Sequence, residues 1–106
     1  MKNLNDIKEG LALFGKHFQL DASYLDLQSK ESFRYDEAYI LIMRVVEELL
    51  VKDFNRLINC LYILDVSEVK LKAALAESNE NPASIIAEMI IERELQKVET
   101  RKKYKP

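Results

Sequence analysis

The chain has 106 residues, 48% hydrophobic and 32% charged, with a formal net charge of −2. That length is one domain, residues 1–106, with enough apolar side chains for a core built without disulfides or metal. The composition excludes a disordered chain, and with only two Gly and two Pro it favours a few long helices over many short strands.

The charge is unevenly spread. Residues 93–106 carry six Lys/Arg against two Glu, and the other 92 carry ten against sixteen acids. An acidic body therefore ends in a basic tail. The single Cys60 cannot form an intrachain disulfide. MKNLNDIKEGLALFG has neither the apolar run nor the cleavage site of a secretory leader, so a reducing, cytoplasmic setting is expected. No window approaches ~18 uncharged apolar residues, as a membrane span needs. The richest, Ile40 to Val51, is interrupted by Arg44, Glu47 and Glu48.

Leu4, Ile7, Leu11, Phe14 and Phe18 are spaced three or four apart and predict a first helix over 4–18, capped by Asn3. Gly10 and Gly15 weaken it, and read either as points of close approach or as an end near Gly15. His17 reads as a surface or partly packed residue. With no second His or Cys in helical register it does not read as a metal ligand. Residues 21–32 are polar and without period, a loop that Tyr24, Leu25 and Leu27 fold back onto the core. Ser32 is placed to cap the next helix.

The dominant feature is the run from Tyr35 to Leu64, without Gly or Pro, in which ten of the thirteen residues from Tyr39 to Val51 are apolar. It predicts one long central helix over about 33–64, the spine of the domain. One arc collects Tyr39, Ile42, Met43, Val46, Leu49, Leu50, Phe54, Leu57, Leu61 and Leu64, and Ile40, Val51, Ile58 and Tyr62 widen it. The opposite arc holds Glu37, Arg44, Glu48, Lys52, Asn55 and Asn59. Thirty helical residues would span about 45 Å, whereas a domain of this size is roughly 33 Å across. The helix must bend, or it projects and a second chain covers it. The expectation is a homodimer whose interface draws on Tyr39, Ile42, Met43, Val46, Leu50, Phe54, Leu57 and Leu61. Asp53 is the natural bend, because inside the apolar arc a carboxylate must reach solvent or a cation, with Arg56 the nearest.

Asp65-Val66-Ser67-Glu68 has the form of a capping box, with Leu64 and Val69 as its hydrophobic staple. It predicts a third helix over 66–77, with Val69, Ala73 and Ala76 on one seam and Leu71 and Leu75 on another. Asn81 as N-cap and Pro82 at the first helical position start the last helix, 82–102. Its first half packs Ile85, Ile86, Met89 and Ile90, its second Ile91, Leu95 and Val98. Beyond Val98 the apolar stripe stops, so 99–106 is a basic tail expected to fray, with Glu99 and Lys103 a weak pair within it. The whole is all-α: a helix at 4–18, the long helix at 33–64 and a hairpin of 66–77 and 82–102, forming a dimeric bundle.

No phosphate loop, CxxC, HExxH or GxSxG is present. Cys60 and His17 are the one Cys–His combination, but LINCLYIL makes Cys60 a small core residue. Glu47, Glu48, Glu88 and Glu92 have the residue type of a di-metal bundle site but lack its Glu-x-x-His spacing. No catalytic, metal or cofactor site is therefore expected. The function expected is that of a non-enzymatic, self-associating interaction module. The alternative is a nucleic-acid-associated protein using Lys97, Arg101, Lys102, Lys103 and Lys105, with Tyr104 able to stack on a base. An acidic protein partner would suit the same tail.

Overall fold

A computed structural model of the chain describes residues 4–21, 25, 27 and 32–104. It is all-helical among the described residues: α1 (Leu4–His17), α2 (Tyr35–Lys52), α3 (Phe54–Leu64), α4 (Glu68–Glu77) and α5 (Pro82–Lys103). The proposed cap Asn3, the loop residue Tyr24 and the tail residue Lys105 lie outside the described residues.

The α1 stripe is inward, with Ile7, Leu11, Phe14 and Phe18 all buried and the Phe14 and Phe18 rings 4.5 Å apart between centroids. The helix runs two residues past Gly15 before Gln19, at φ 54°, reverses the chain and the Leu20 N–H closes on the Gly15 carbonyl at 2.8 Å. Close approach is what both glycines serve. A Cβ on Gly10 would sit 3.3 Å from a Leu95 methyl, and one on Gly15 3.3 Å from a Leu25 methyl. Leu25 is buried and Leu27 packs against the same core.

Ser32 does not cap α2. Arg34 holds that position, and the Glu37 carboxylate accepts its backbone N–H at 2.9 Å. The long run then divides at Asp53 into α2 and α3, instead of forming one straight helix. Asp53 has extended φ (−156°) and ends one helix while starting the next. Its N–H closes on the Leu49 carbonyl, and its carboxylate accepts the Arg56 N–H at 3.2 Å. Arg56 meets Asp53 through its backbone alone. Its guanidinium donates to the carbonyls of Phe18 and Gln19, at 2.6 and 3.3 Å, satisfying the end of α1. The break shortens the run enough for a body of 39 × 28 × 23 Å.

Asp65 corrects the capping-box reading. It is the left-handed residue that ends α3, at φ 64°, and the Val66 N–H closes on the Leu61 carbonyl at 3.1 Å. The cap of α4 is Ser67, whose hydroxyl accepts the Lys70 N–H at 3.2 Å. Asp is competent at either kind of helix end, so the sequence pattern alone does not separate them. The staple fails as well, since Leu64 is buried and Val69 exposed. Of the two α4 seams, Leu71 and Leu75 are half-buried, while Val69, Ala73 and Ala76 face outward.

Asn81 and Pro82 act as expected: the Asn81 side chain accepts the Ala83 N–H at 3.0 Å and Pro82 opens α5. The spine, however, is α5 and not the α2–α3 run. α5 packs against all four other helices. It buries residues around much of its girth: Ala83, Ile85, Ile86 and Ala87 near its start, then Ile90, Ile91, Glu94, Leu95 and Val98. Two alanines among them admit neighbours closely. Tyrosines tie α2 to it, the Tyr35 hydroxyl donating to Glu92 at 2.9 Å and Tyr39 meeting the Ser84 hydroxyl. Burial and the Glu92 acceptor push the Tyr35 hydroxyl above its ordinary titration range.

Candidate functional site

α1 lies antiparallel to the second half of α5, and polar contacts hold both ends of the pairing. Asp6 near the start of α1 bonds Lys102 near the end of α5. At the end of α1, His17 Nδ1 lies 2.9 and 3.1 Å from the two carboxylate oxygens of Glu94. Glu94 is fully buried, at 0% exposure, and is the one polar or charged residue buried among the described residues. Burial pushes its carboxyl above the ordinary 4.5, and His17 opposes that push, followed by Lys97 and Arg93. Sequence reasoning missed this pair. The available signal was the four-residue spacing Ile90–Glu94–Val98, which sets a carboxylate in the middle of an apolar stripe.

Two recesses open along the outer edge of this seam. One, of about 560 Å³, includes Glu9, Lys16, Arg101 and Lys102 in its walls. The other, of about 340 Å³, includes His17, Lys97, Thr100 and Arg101. Both contain Leu13 and Arg101, so they adjoin along one groove edge at those side chains, with cations from both helices. Of the tail residues, Lys97 and Arg101 line this groove, Lys102 is bound to Asp6 and Lys103 is exposed. Helix α5 remains regular through Lys103.

His17 and Cys60 line a third recess together with Asp53, Arg56 and Asn59. No hydrogen bond joins the thiol to the imidazole among the described residues. Burial pushes the Cys60 thiol up, with Arg56 pulling the other way. A thiol held protonated is a weak nucleophile. No group of three or more His, Cys, Asp or Glu is placed to hold a metal among the described residues. No described helix is long and apolar enough to cross a membrane.

The predicted interface residues divide. Ile42, Val46, Leu57 and Leu61 are buried by the chain's own helices, and Tyr39, Met43 and Leu50 are half-buried against the same core. These seven already have intrachain cover. Phe54 is different, with 55% exposure. It begins a stripe on the outer face of α3 that continues through Ile58 (44%) and Tyr62 (85%), each four residues on. Val51, at 86%, precedes it across the Asp53 break. From the sequence, Ile58, Tyr62 and Val51 only widen the apolar arc. On α3 Leu57, Cys60, Leu61 and Leu64 are turned inward and the 54–58–62 edge is left outside. No protein-family model, curated protein or solved structure matches the chain.

Proposed function

We propose that the protein is a non-enzymatic helical module that binds a second copy of itself through the outer face of α3. The observation that carries this reading is the exposed stripe Phe54–Ile58–Tyr62 with Val51 beside it. The excess length of the apolar run is absorbed by the break at Asp53, so self-association has its support in this face alone.

Size and charge both favour a like partner. Large apolar side chains present about 150–250 Å² each, so the exposed fractions of these four amount to on the order of 500 Å². That is at the upper end for the largest patch on a monomer. With Asn55, Asn59 and Ile63 it approaches the ~800 Å² per partner of a stable interface. α3 carries one charged residue, Arg56, and its guanidinium is engaged with Phe18 and Gln19. A second α3 therefore meets no charged side chain within the Phe54–Ile58–Tyr62 stripe. Antiparallel pairing about a twofold through Ile58 would set Phe54 against Tyr62 of the second copy, a self-complementary contact.

Light scattering on the full chain tests it. The expected mass is twice the 12.4 kDa of one chain at micromolar concentration. Tyr62→Glu, at an exposed position, should restore the single-chain mass with the helical circular dichroism unchanged. A wild-type protein that stays monomeric at that concentration refutes the reading. The nucleic-acid alternative has less behind it, because, of its described cations, Lys97 and Arg101 line a recess and Lys102 is bound to Asp6.

A further inference from the structure

We infer that the groove between α1 and the C-terminal half of α5 is a binding site for a small oligophosphate anion, held between Lys97 and Arg101 on one bank and Lys16 on the other. This is independent of self-association through α3.

Lys97 and Arg101 are four residues apart on α5 and line the same recess. Lys16 faces the adjoining recess from α1, and Arg101 is common to both. Among the described residues no hydrogen bond or ion pair is made by the side chains of these three, and the charge of Lys97 acts on buried Glu94. The neighbouring charges are already engaged. Arg93 donates to the Leu64 carbonyl, to Gln96 and to Asp65. Lys102 is bound to Asp6. Glu94 is buried and bound to His17. Glu9 is the acidic wall residue of the larger recess, and its field acts on Lys102.

Three cations thus converge on one groove with a single unburied carboxylate on its wall. The helix dipole accounts for basic residues in the last turn of α5, but its effect falls off within that turn. It accounts for Lys16 in the last turn of α1 as well, but not for Lys97, further back on α5 than the last turn. Like charges brought together cost free energy in the empty protein, and an anion seated between them turns that repulsion into attraction. Lys and Arg side chains are the usual phosphate donors, Arg offering a planar fork and Lys a compact point charge.

Shape selects the size of the anion. Recesses of about 560 and 340 Å³ are of small-ligand dimensions. A long nucleic acid would need cations spread over an outward surface, and it would meet the acids of residues 1–92, which outnumber Lys/Arg there by six. A short anion is screened from most of them beyond about 8–10 Å at moderate salt.

Titration of the full chain with sodium tripolyphosphate, followed by calorimetry and amide NMR, tests the assignment. Saturable one-to-one binding is expected, weakened by added salt, with shifts concentrated at Leu13, Lys16, Thr100 and Arg101. Charge-assisted hydrogen bonds to phosphate are each worth roughly tenfold in affinity. Lys97→Ala with Arg101→Ala should therefore weaken binding at least about tenfold, whereas Lys103→Ala, outside the groove, should change it less than about twofold. Both variants change side chains that reach solvent, and unchanged circular dichroism verifies the fold. Inorganic phosphate and phosphatidylglycerol vesicles form the comparison arms. Tripolyphosphate binding tighter than vesicle binding supports a free ligand, and the reverse ordering with the same variant pattern supports a lipid phosphate in the same groove. Absence of saturation, equal loss in Lys103→Ala, or tighter binding to a DNA duplex than to tripolyphosphate overturns the proposal. None of these readouts depends on whether the chain dimerises.

Discussion

Removing His17 should destabilise the protein in a way that depends on pH, and removing Glu94 should not. His17→Phe keeps an aromatic ring but leaves the Glu94 carboxyl, at 0% exposure, without its nearest partner. The buried group then stays ionised at a large desolvation cost or takes up a proton. Protonation limits the loss. From the ordinary value of 4.5, holding a carboxyl protonated at pH 7 costs about 3.4 kcal/mol, and at pH 5 about 0.7. The sign comes from linkage. A carboxyl raised in the folded state binds its proton more tightly there than in the unfolded chain. Its favourable contribution is complete below 4.5 and is lost as pH rises through the folded value. His17→Phe pushes the folded value further up and widens that window. Urea unfolding followed by circular dichroism, at steps between pH 4.5 and 7, should give a loss that grows with pH toward about 3 kcal/mol. Glu94→Leu removes the buried charge at similar volume and leaves a histidine side chain that is 22% exposed and able to reach water. Its loss should stay within about 1 kcal/mol across the range. A His17→Phe loss that is flat with pH, or a larger loss in Glu94→Leu, refutes the reasoning.

Other substitutions separate core from surface. Leu57→Ala, at a fully buried position, should cost about 2–5 kcal/mol in the same unfolding assay. Phe54→Ala, three residues earlier and exposed, should cost well under that while weakening self-association. Gly10→Val should cost more than about 2 kcal/mol, because a branched side chain in contact with Leu95 forces α1 from α5. A loss below about 1 kcal/mol would mean that the helices are not in close contact there. Cys60, buried with its thiol pushed up by that burial, should react with iodoacetamide at least about tenfold more slowly in the native protein than in urea. Equal rates would contradict the packing of α3.

Helix content and most boundaries were readable from periodicity and punctuation, because those signals are local. Asn81-Pro82 fixes a helix start whatever surrounds it. The stripe Ile7–Leu11–Phe14–Phe18 has one apolar face and hence one possible orientation. Asp65 failed because the same residue can cap an N-terminus with its side chain or end a helix in the left-handed conformation. The choice depends on whether Val66 reaches back to Leu61. The spine was misread for a related reason. Overall apolarity pointed to Tyr35–Leu64, whereas α5 is central through Ala83 and Ala87, whose small size lets neighbours approach, and through a carboxylate that no hydropathy argument places inside. The α1–α5 groove depends on bringing residue 16 beside residue 101, and no local pattern encodes that contact.

The break at Asp53 links the two surfaces that remain. At about 100° per residue the buried face of α2, with Ala38, Ile42, Val45, Val46 and Leu49, leads on to Leu57, Cys60, Leu61 and Leu64 of α3. Phe54, Ile58 and Tyr62 fall on the opposite, exposed face, in line with Ile40 and Val51. The same break positions Arg56 to reach the Phe18 and Gln19 carbonyls. That contact secures the C-terminal end of α1, next to the His17 contact with Glu94. Asp53→Ala removes the side-chain acceptor of the Arg56 N–H, worth about 1 kcal/mol as an N-cap, and lowers the cost of running α2 into α3 as one helix. The expected consequence is a double loss from one exposed residue: weaker self-association, because straightening the run shifts α3 and its exposed stripe relative to the rest of the body, and weaker tripolyphosphate binding, because α1 loses the support of Arg56. Light scattering and the phosphate titration on one Asp53→Ala sample would measure both. Loss of neither, with stability lowered by the capping term alone, would show that the two surfaces are set independently of the break.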